Sequence, residues 1–205
     1  MATHSTTAPH ESLLSTTTGL DHRKLLMWTF LASECLFFGS LIATFLLFKE
    51  ASVSGPTPQE ILNIPVTSTS TFVLLTSSLS MVLALASIQR GDIVSGRVWI
   101  LATAVLGATF LGFQVYEFKE FIDHGLKPST NVFSASFFTL TGFHGAHVTL
   151  GVIWLMSLFI YSFTNKEGIP TSKSLDVELA GLYWHFVDIV WIVIFTVVYL
   201  ISSLD

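Results

Sequence analysis

Six side chains able to hold or move a proton stand inside stretches that are otherwise apolar: Glu34, Glu117, His144, His147, His185 and Asp188. An ionisable group inside a bilayer costs at least ~2.5 kcal/mol unless it is paired or wetted. Each of the six therefore calls for a partner. Three chemistries are open to such a set. His144 and His147, three residues apart, could join His185 and the carboxylates as metal ligands. A lone HxxH is a weak signal, however, and a membrane di-iron enzyme needs several more histidine clusters. Intramembrane acids also mark proton paths and stand-alone transporters. Against a transporter, the sequence shows neither an inverted repeat nor a broken helix. The third chemistry is cohesion, in which polar groups hydrogen-bond helix to helix in a chain that serves a larger complex. On residue chemistry alone this structural reading leads.

The elements that must position these groups are transmembrane helices. The hydrocarbon core is ~30 Å thick and takes ~20 apolar residues to cross. Residues 183–200, YWHFVDIVWIVIFTVVYL, form such a run with His185 and Asp188 at its start, one turn apart. Four more runs precede it, so the fold class is an all-α polytopic membrane protein of five spans, at about 25–48, 67–89, 97–121, 132–163 and 179–202. Residues 1–22, rich in Ser and Thr with His4, His10 and His22, read as a flexible solvated tail, and 23–205 as the membrane domain. The N-terminus lacks the basic leader and apolar core of a secretory signal.

Glu34 lies nine residues past Leu25, and Asp188 nine past Leu179, so each is ~14 Å deep. Buried there, Glu34 is expected to stay neutral or to pair with a histidine. His147, sixteen residues from Phe163 and so ~24 Å from the inner end of span four, sits too high for a direct bond to Asp188 between upright helices. Asp188 is therefore expected to find a nearer partner: its own turn, a Ser or Thr of a neighbour, or Glu34. Gln114 and Glu117 follow each other in GFQVYEF, and Glu117 either packs inside or reaches the interface. Small residues at four-residue spacing suggest packing seams: Gly39 with Ala43, Ala104 with Ala108 and Gly112, Gly142 with Ala146. The many hydroxyls of span two can bond back to their own helix or across to another. Ser129, Thr130 and Asn131 can cap span four.

Composition narrows the class further. Charged residues are 11% of the chain and hydrophobic ones 51%, where soluble domains carry about 25% charged residues. A net charge of -5 gives no reason to expect nucleic acid. The single cysteine, Cys35, excludes an internal disulfide and reads as a packed thiol. Arg23, Lys24, Arg90, Arg97, Lys166 and Lys173 fall on the N-terminal side of the membrane, against Lys49, Lys119 and Lys127 on the other. The positive-inside rule then puts the N-terminus in the cytoplasm and the C-terminus outside.

The stretches ASECLFFGSLIATF (32–45), GFQVYEF (112–118), SASFFTLTGFHGAHVTLGV (134–152) and YWHFVDIVWIVIFTVVYL (183–200) resemble subunit III of the haem-copper terminal oxidases. They cover four of the five spans in the family's order. The resemblance implies an all-helical, non-redox subunit with no metal or cofactor of its own. Haem and copper are then expected in partner subunits, subunit I and subunit II, and the chain can carry bound phospholipid. It implies packing on subunit I, support of steady proton uptake, and protection of the complex during turnover. Glu34 falls at the family's carbodiimide-sensitive carboxylate, and His144, His147, His185 and Asp188 at its polar motif positions. Many members have seven helices with a lipid cleft beside the first two, whereas this chain is similar to the short five-helix form of bacterial inner membranes. The wording TGFHG leans toward an aa3-type cytochrome c oxidase. A quinol oxidase or a nitric oxide reductase-associated homologue is the alternative.

Overall fold

The computed structural model describes residues 21–49, 64–164, 168–171 and 174–200. His4, His10 and most of the first interhelical loop lie outside the described residues. Five helices follow in order: α1 His22–Phe48, α2 Ile64–Gln89, α3 Ile93–Asp123, α4 Val132–Thr164 and α5 Ser174–Ile194, the last continuing as a π-helical turn, Phe195–Leu200. All five are long and apolar enough to cross a bilayer, and no strand occurs among the described residues. Hydrocarbon offers no hydrogen bonds, so a spanning backbone must satisfy itself, and a helix does so within one segment.

Local chemistry sets the helix ends. Asp21 caps α1 by accepting from the Arg23 amide, which places His22 in the first helical turn instead of the tail. Pro65 sits in the first turn of α2, where a missing N–H costs nothing. Asn131 accepts from the Ser134 amide and starts α4. Asp92 accepts from the Ser95 amide and hydroxyl, and these bonds hold its carboxyl below the usual range. That cap is present at neutral pH and weakens only as acid protonates Asp92. Gly91 and Gly125, with φ of 77° and 89°, close α2 and α3. In both turns the next amide bonds back five residues, which only a left-handed glycine turn allows cheaply.

α2 packs along α3 and α3 along α4, and α5 closes the four by lying against α2 and α4. α1 sits outside them, against α4 and α5. α3 and α5 stand on the diagonal, and two indoles fill the gap. Trp184 reaches Gly107 of α3 and Gly151 of α4, while Trp191 meets Phe110 edge-on at 4.7 Å and stacks on His144 at 4.9 Å. Both are about 1% exposed, so their N–H groups need acceptors inside the protein. Ser77 and Thr71 of α2 supply them, at 3.0 and 2.9 Å. Residue numbers rise along α5 as they fall along α2, so these two bonds fix an antiparallel register. At the entry end, Arg23 and Lys24 of α1 pair with Asp176 and Glu178 of α5, and Arg97 of α3 binds Ser162 of α4 and lies 4.3 Å above the Phe163 ring.

The close approaches differ from those expected from small-residue spacing. A Cβ on Gly39, Gly112 or Gly142 would meet nothing within 4 Å, and Ala108 and Ala146 are exposed. Apart from Ala104, which is buried, those positions face outward because the tight approaches are set by bulky partners. Gly107 and Gly151 make room for Trp184, and Gly145 for the Gln114 amide. Cys35 is likewise exposed, not a packed thiol, because α1 buries only the side that meets α4 and α5.

A Cβ at Gly107 would fall 2.4 Å from the Trp184 ring. Gly107→Ala is expected to destabilise the folded chain by about 1–3 kcal/mol. Gly112→Ala, with open space around it, should be neutral or slightly stabilising. Thermal unfolding of the two variants in detergent checks the contrast.

Candidate functional site

The polar residues of the spans fall into separate settings, not one cluster. The first joins α1 to α4. His147 Nε2 lies 3.3 Å from Glu34 Oε2, with both side chains mostly but not fully buried. The ring is held by Phe38, edge-on at 5.0 Å, and by Phe37 at 6.3 Å. Its Nδ1 lies 2.8 Å from the Phe143 carbonyl. A carbonyl only accepts, so the proton is assigned to Nδ1 and Nε2 is turned to Glu34. The pair is then satisfied in two forms: a protonated Glu34 donating to neutral imidazole, or imidazolium donating to carboxylate. Either form keeps one proton between them and no net charge in the membrane. The Tyr183 hydroxyl of α5 donates to the His147 carbonyl at 2.9 Å and fixes that turn from behind.

The second setting joins α5 to α2. His185 Nδ1 lies 2.6 Å from Ser78 Oγ. Asp188, 3% exposed, has neither carboxyl oxygen in a hydrogen bond, although Ser78 stands beside it. Asp188 is thus nearer a neighbour's serine than His147, while Glu34 is taken by His147.

The third lies between α3 and α4. His144 is fully buried between Trp191 and Phe110, and neither ring nitrogen is hydrogen-bonded. Gln114 donates from Nε2 to the Thr141 carbonyl at 2.7 Å, and its Oε1 packs on Gly145 without a donor. The fourth lies toward the C-terminal end of α3. Glu117 does not reach the interface; it is 2% exposed and accepts from the Thr67 hydroxyl of α2, with the Tyr199 hydroxyl against it. The π-helical turn carries Tyr199 to that position, where a wider turn changes the direction of a side chain.

Among the described residues no three His, Cys, Asp or Glu side chains come together to hold a metal ion. His144, the best-buried imidazole, is walled by two aromatic rings. Sequence reading did not single out Ser78, Thr67 and Tyr199. Ser78 and Thr67 are two of many hydroxyls on α2, and nothing in spacing separates a hydroxyl that crosses to a neighbour from one that bonds back.

A bundle of five membrane helices whose polar side chains meet at separate helix pairs defines a polytopic integral membrane protein. The model of the family described as cytochrome c oxidase subunit III matches residues 7–203, and the chain belongs to that family. It is 41% identical over 175 residues to cytochrome c oxidase subunit 3 of Bacillus sp. strain PS3, covering 85% of this chain and 84% of the relative. It is 37% identical over 175 residues to quinol oxidase subunit 3 of Bacillus subtilis strain 168, covering 85% of each. It is also 37% identical over 177 residues to cytochrome bo(3) ubiquinol oxidase subunit 3 of Pseudomonas aeruginosa, covering 86% of this chain and 84% of that one. The protein is thus a subunit III of a haem-copper oxidase, an integral membrane component of a multisubunit enzyme.

Glu34→Gln keeps a donor for His147 Nε2 and should leave stability nearly unchanged. Glu34→Ala strands that nitrogen and should cost on the order of 1 kcal/mol, the low end for an unpaired group because the pair is not fully buried. Thermal retention of the subunit in the purified complex measures both.

Proposed function

We propose that this chain is the non-redox subunit III of an aa3-type cytochrome c oxidase, seated on subunit I beside subunit II in a bacterial inner membrane. Its N-terminus lies in the cytoplasm and its C-terminus outside. Its work is to support proton uptake and to preserve the complex during turnover. The observation that carries this reading is the Glu34–His147 pair, 3.3 Å apart and incompletely buried at the seam of α1 and α4. A carboxyl that can be neutral or ionised without leaving net charge in the bilayer is suited to exchanging protons next to a pumping partner. The cytochrome c assignment is supported by relatives of that name at 41%, 39% and 38% identity, against 36–37% for quinol and ubiquinol oxidase relatives. Haem and copper belong to the partner subunits in this reading, and phospholipid can fill the apolar surface.

The purified complex should oxidise reduced cytochrome c. With Glu34→Ala it should start at a similar rate but lose activity after fewer turnovers, while Glu34→Gln behaves between that variant and the parent. Oxidation of quinol without oxidation of cytochrome c would reassign the donor. Unchanged turnover lifetime in both variants would remove the proton-exchange role.

A further inference from the structure

α2 has no ionisable side chain between Ile64 and Gln89, yet it is the helix on which His185 and Asp188 are set. Its hydroxyls share one habit. Thr69, Thr71, Thr76, Ser77 and Ser87 each donate to a carbonyl three or four residues back. Ser77 and Thr71 are thereby left as acceptors, which is what the indole N–H groups of Trp184 and Trp191 require. Ser78 departs from the habit. Its oxygen lies 2.6 Å from His185 Nδ1, and the Asp188 carboxyl stands beside it. The two indole bonds fix the register, and His185 and Asp188 lie between the two indoles along α5, so Ser78 is held between a half-buried imidazole and a buried acid.

We propose that His185, Ser78 and Asp188 form a proton-exchange unit, in which Asp188 stores a proton that enters and leaves through the Ser78 hydroxyl by way of His185. A hydroxyl donates one hydrogen bond and accepts others, so it can link an acid to a base. In the loaded form the Asp188 carboxyl O–H turns to donate to Ser78 Oγ, and the Ser78 O–H donates to His185 Nδ1. In the unloading step the Asp188 O–H bond breaks and its proton forms a new O–H on Ser78. The former Ser78 proton forms an N–H bond at His185 Nδ1. The products are carboxylate and imidazolium, and no electron is transferred. The half-exposed imidazolium then gives its Nε2 proton to water or to a base outside the helix pair, and reloading runs the same steps backward. Cohesion alone does not account for Asp188. The neighbouring Ser and Thr groups already bond helix to helix, while a carboxyl without a hydrogen bond is costly in that interior. The groups around the unit are few. α2 offers no charge, His144 of α4 approaches across Trp191, and Glu34 with His147 forms its own closed pair. The unit is separate from the Glu34–His147 pair and is tested apart from it.

The test is infrared difference spectroscopy on the complete oxidase complex, in water and in deuterium oxide, with 13C-carboxyl aspartate to mark aspartic acid bands. The expected result is a protonated aspartic C=O band that is lost in Asp188→Asn and kept in Glu34→Gln. Ser78→Ala should shift that band and slow its deuterium exchange, and Ser78→Thr, which keeps the hydroxyl, should restore both. If Asp188→Asn does not assemble, the aspartate label identifies the band and the Ser78 pair decides. The same band position and exchange rate in Ser78→Ala as in the parent would overturn the unit, as would the absence of any Asp188 band.

Discussion

Two indole N–H groups buried in hydrocarbon must each find an acceptor, and the rest of the bundle depends on where they find it. Trp184 and Trp191 reach from α5 to Ser77 and Thr71 of α2. The same two rings fill the diagonal toward α3 and α4, where Gly107 and Gly151 leave room for one and Phe110 and His144 receive the other. Changing the register of α5 on α2 would strand both donors in an apolar interior and drive a ring into backbone. Such donors cannot turn to water, so a small number of polar bonds governs where large apolar surfaces meet.

The polar groups then divide by helix pair. Glu34 and His147 meet at 3.3 Å across α1 and α4. His185 meets Ser78 across α5 and α2, and Glu117 meets Thr67 of α2 toward the C-terminal end of α3. α5 takes part in or borders each of these places, through Tyr183 behind His147 and through Tyr199 beside Glu117. The family places this arrangement in a multisubunit haem-copper oxidase.

Much of the architecture was legible in the sequence. Five apolar runs separated by polar turns give five helices, and the structure moves their starts by only a few residues, through the Asp21 and Asp92 caps and Pro65. A histidine partner for Glu34 was also legible as one of two expected outcomes, because an unpaired charge in a span is costly. Partner identity was not. Depth arithmetic puts Glu34 level with Asp188, but the choice of His147 depends on α1 lying against α4. Small-residue spacing misled for a similar reason. Gly39 and Gly112 mark where a helix surface is thin, whereas Gly107, Gly145 and Gly151 are needed because Trp184 and Gln114 arrive from other helices. Cys35 fell on the face opposite to the expected one, and Glu117, open between the interior and the interface, packs inside; each was decided by which neighbour is present.

The central claim is that the α5–α2 clamp sets the register, and a double-mutant cycle tests it most directly. Trp191→Phe and Thr71→Val, singly and together, would be compared by thermal or denaturant unfolding of the complex in detergent. Because both residues are buried and share one bond, the account predicts a coupling energy of about 0.5–1.5 kcal/mol, as found for interhelical hydrogen bonds in membranes. Strictly additive losses would mean that the two residues act independently and that shape alone, not the buried indole bond, holds α5 on α2.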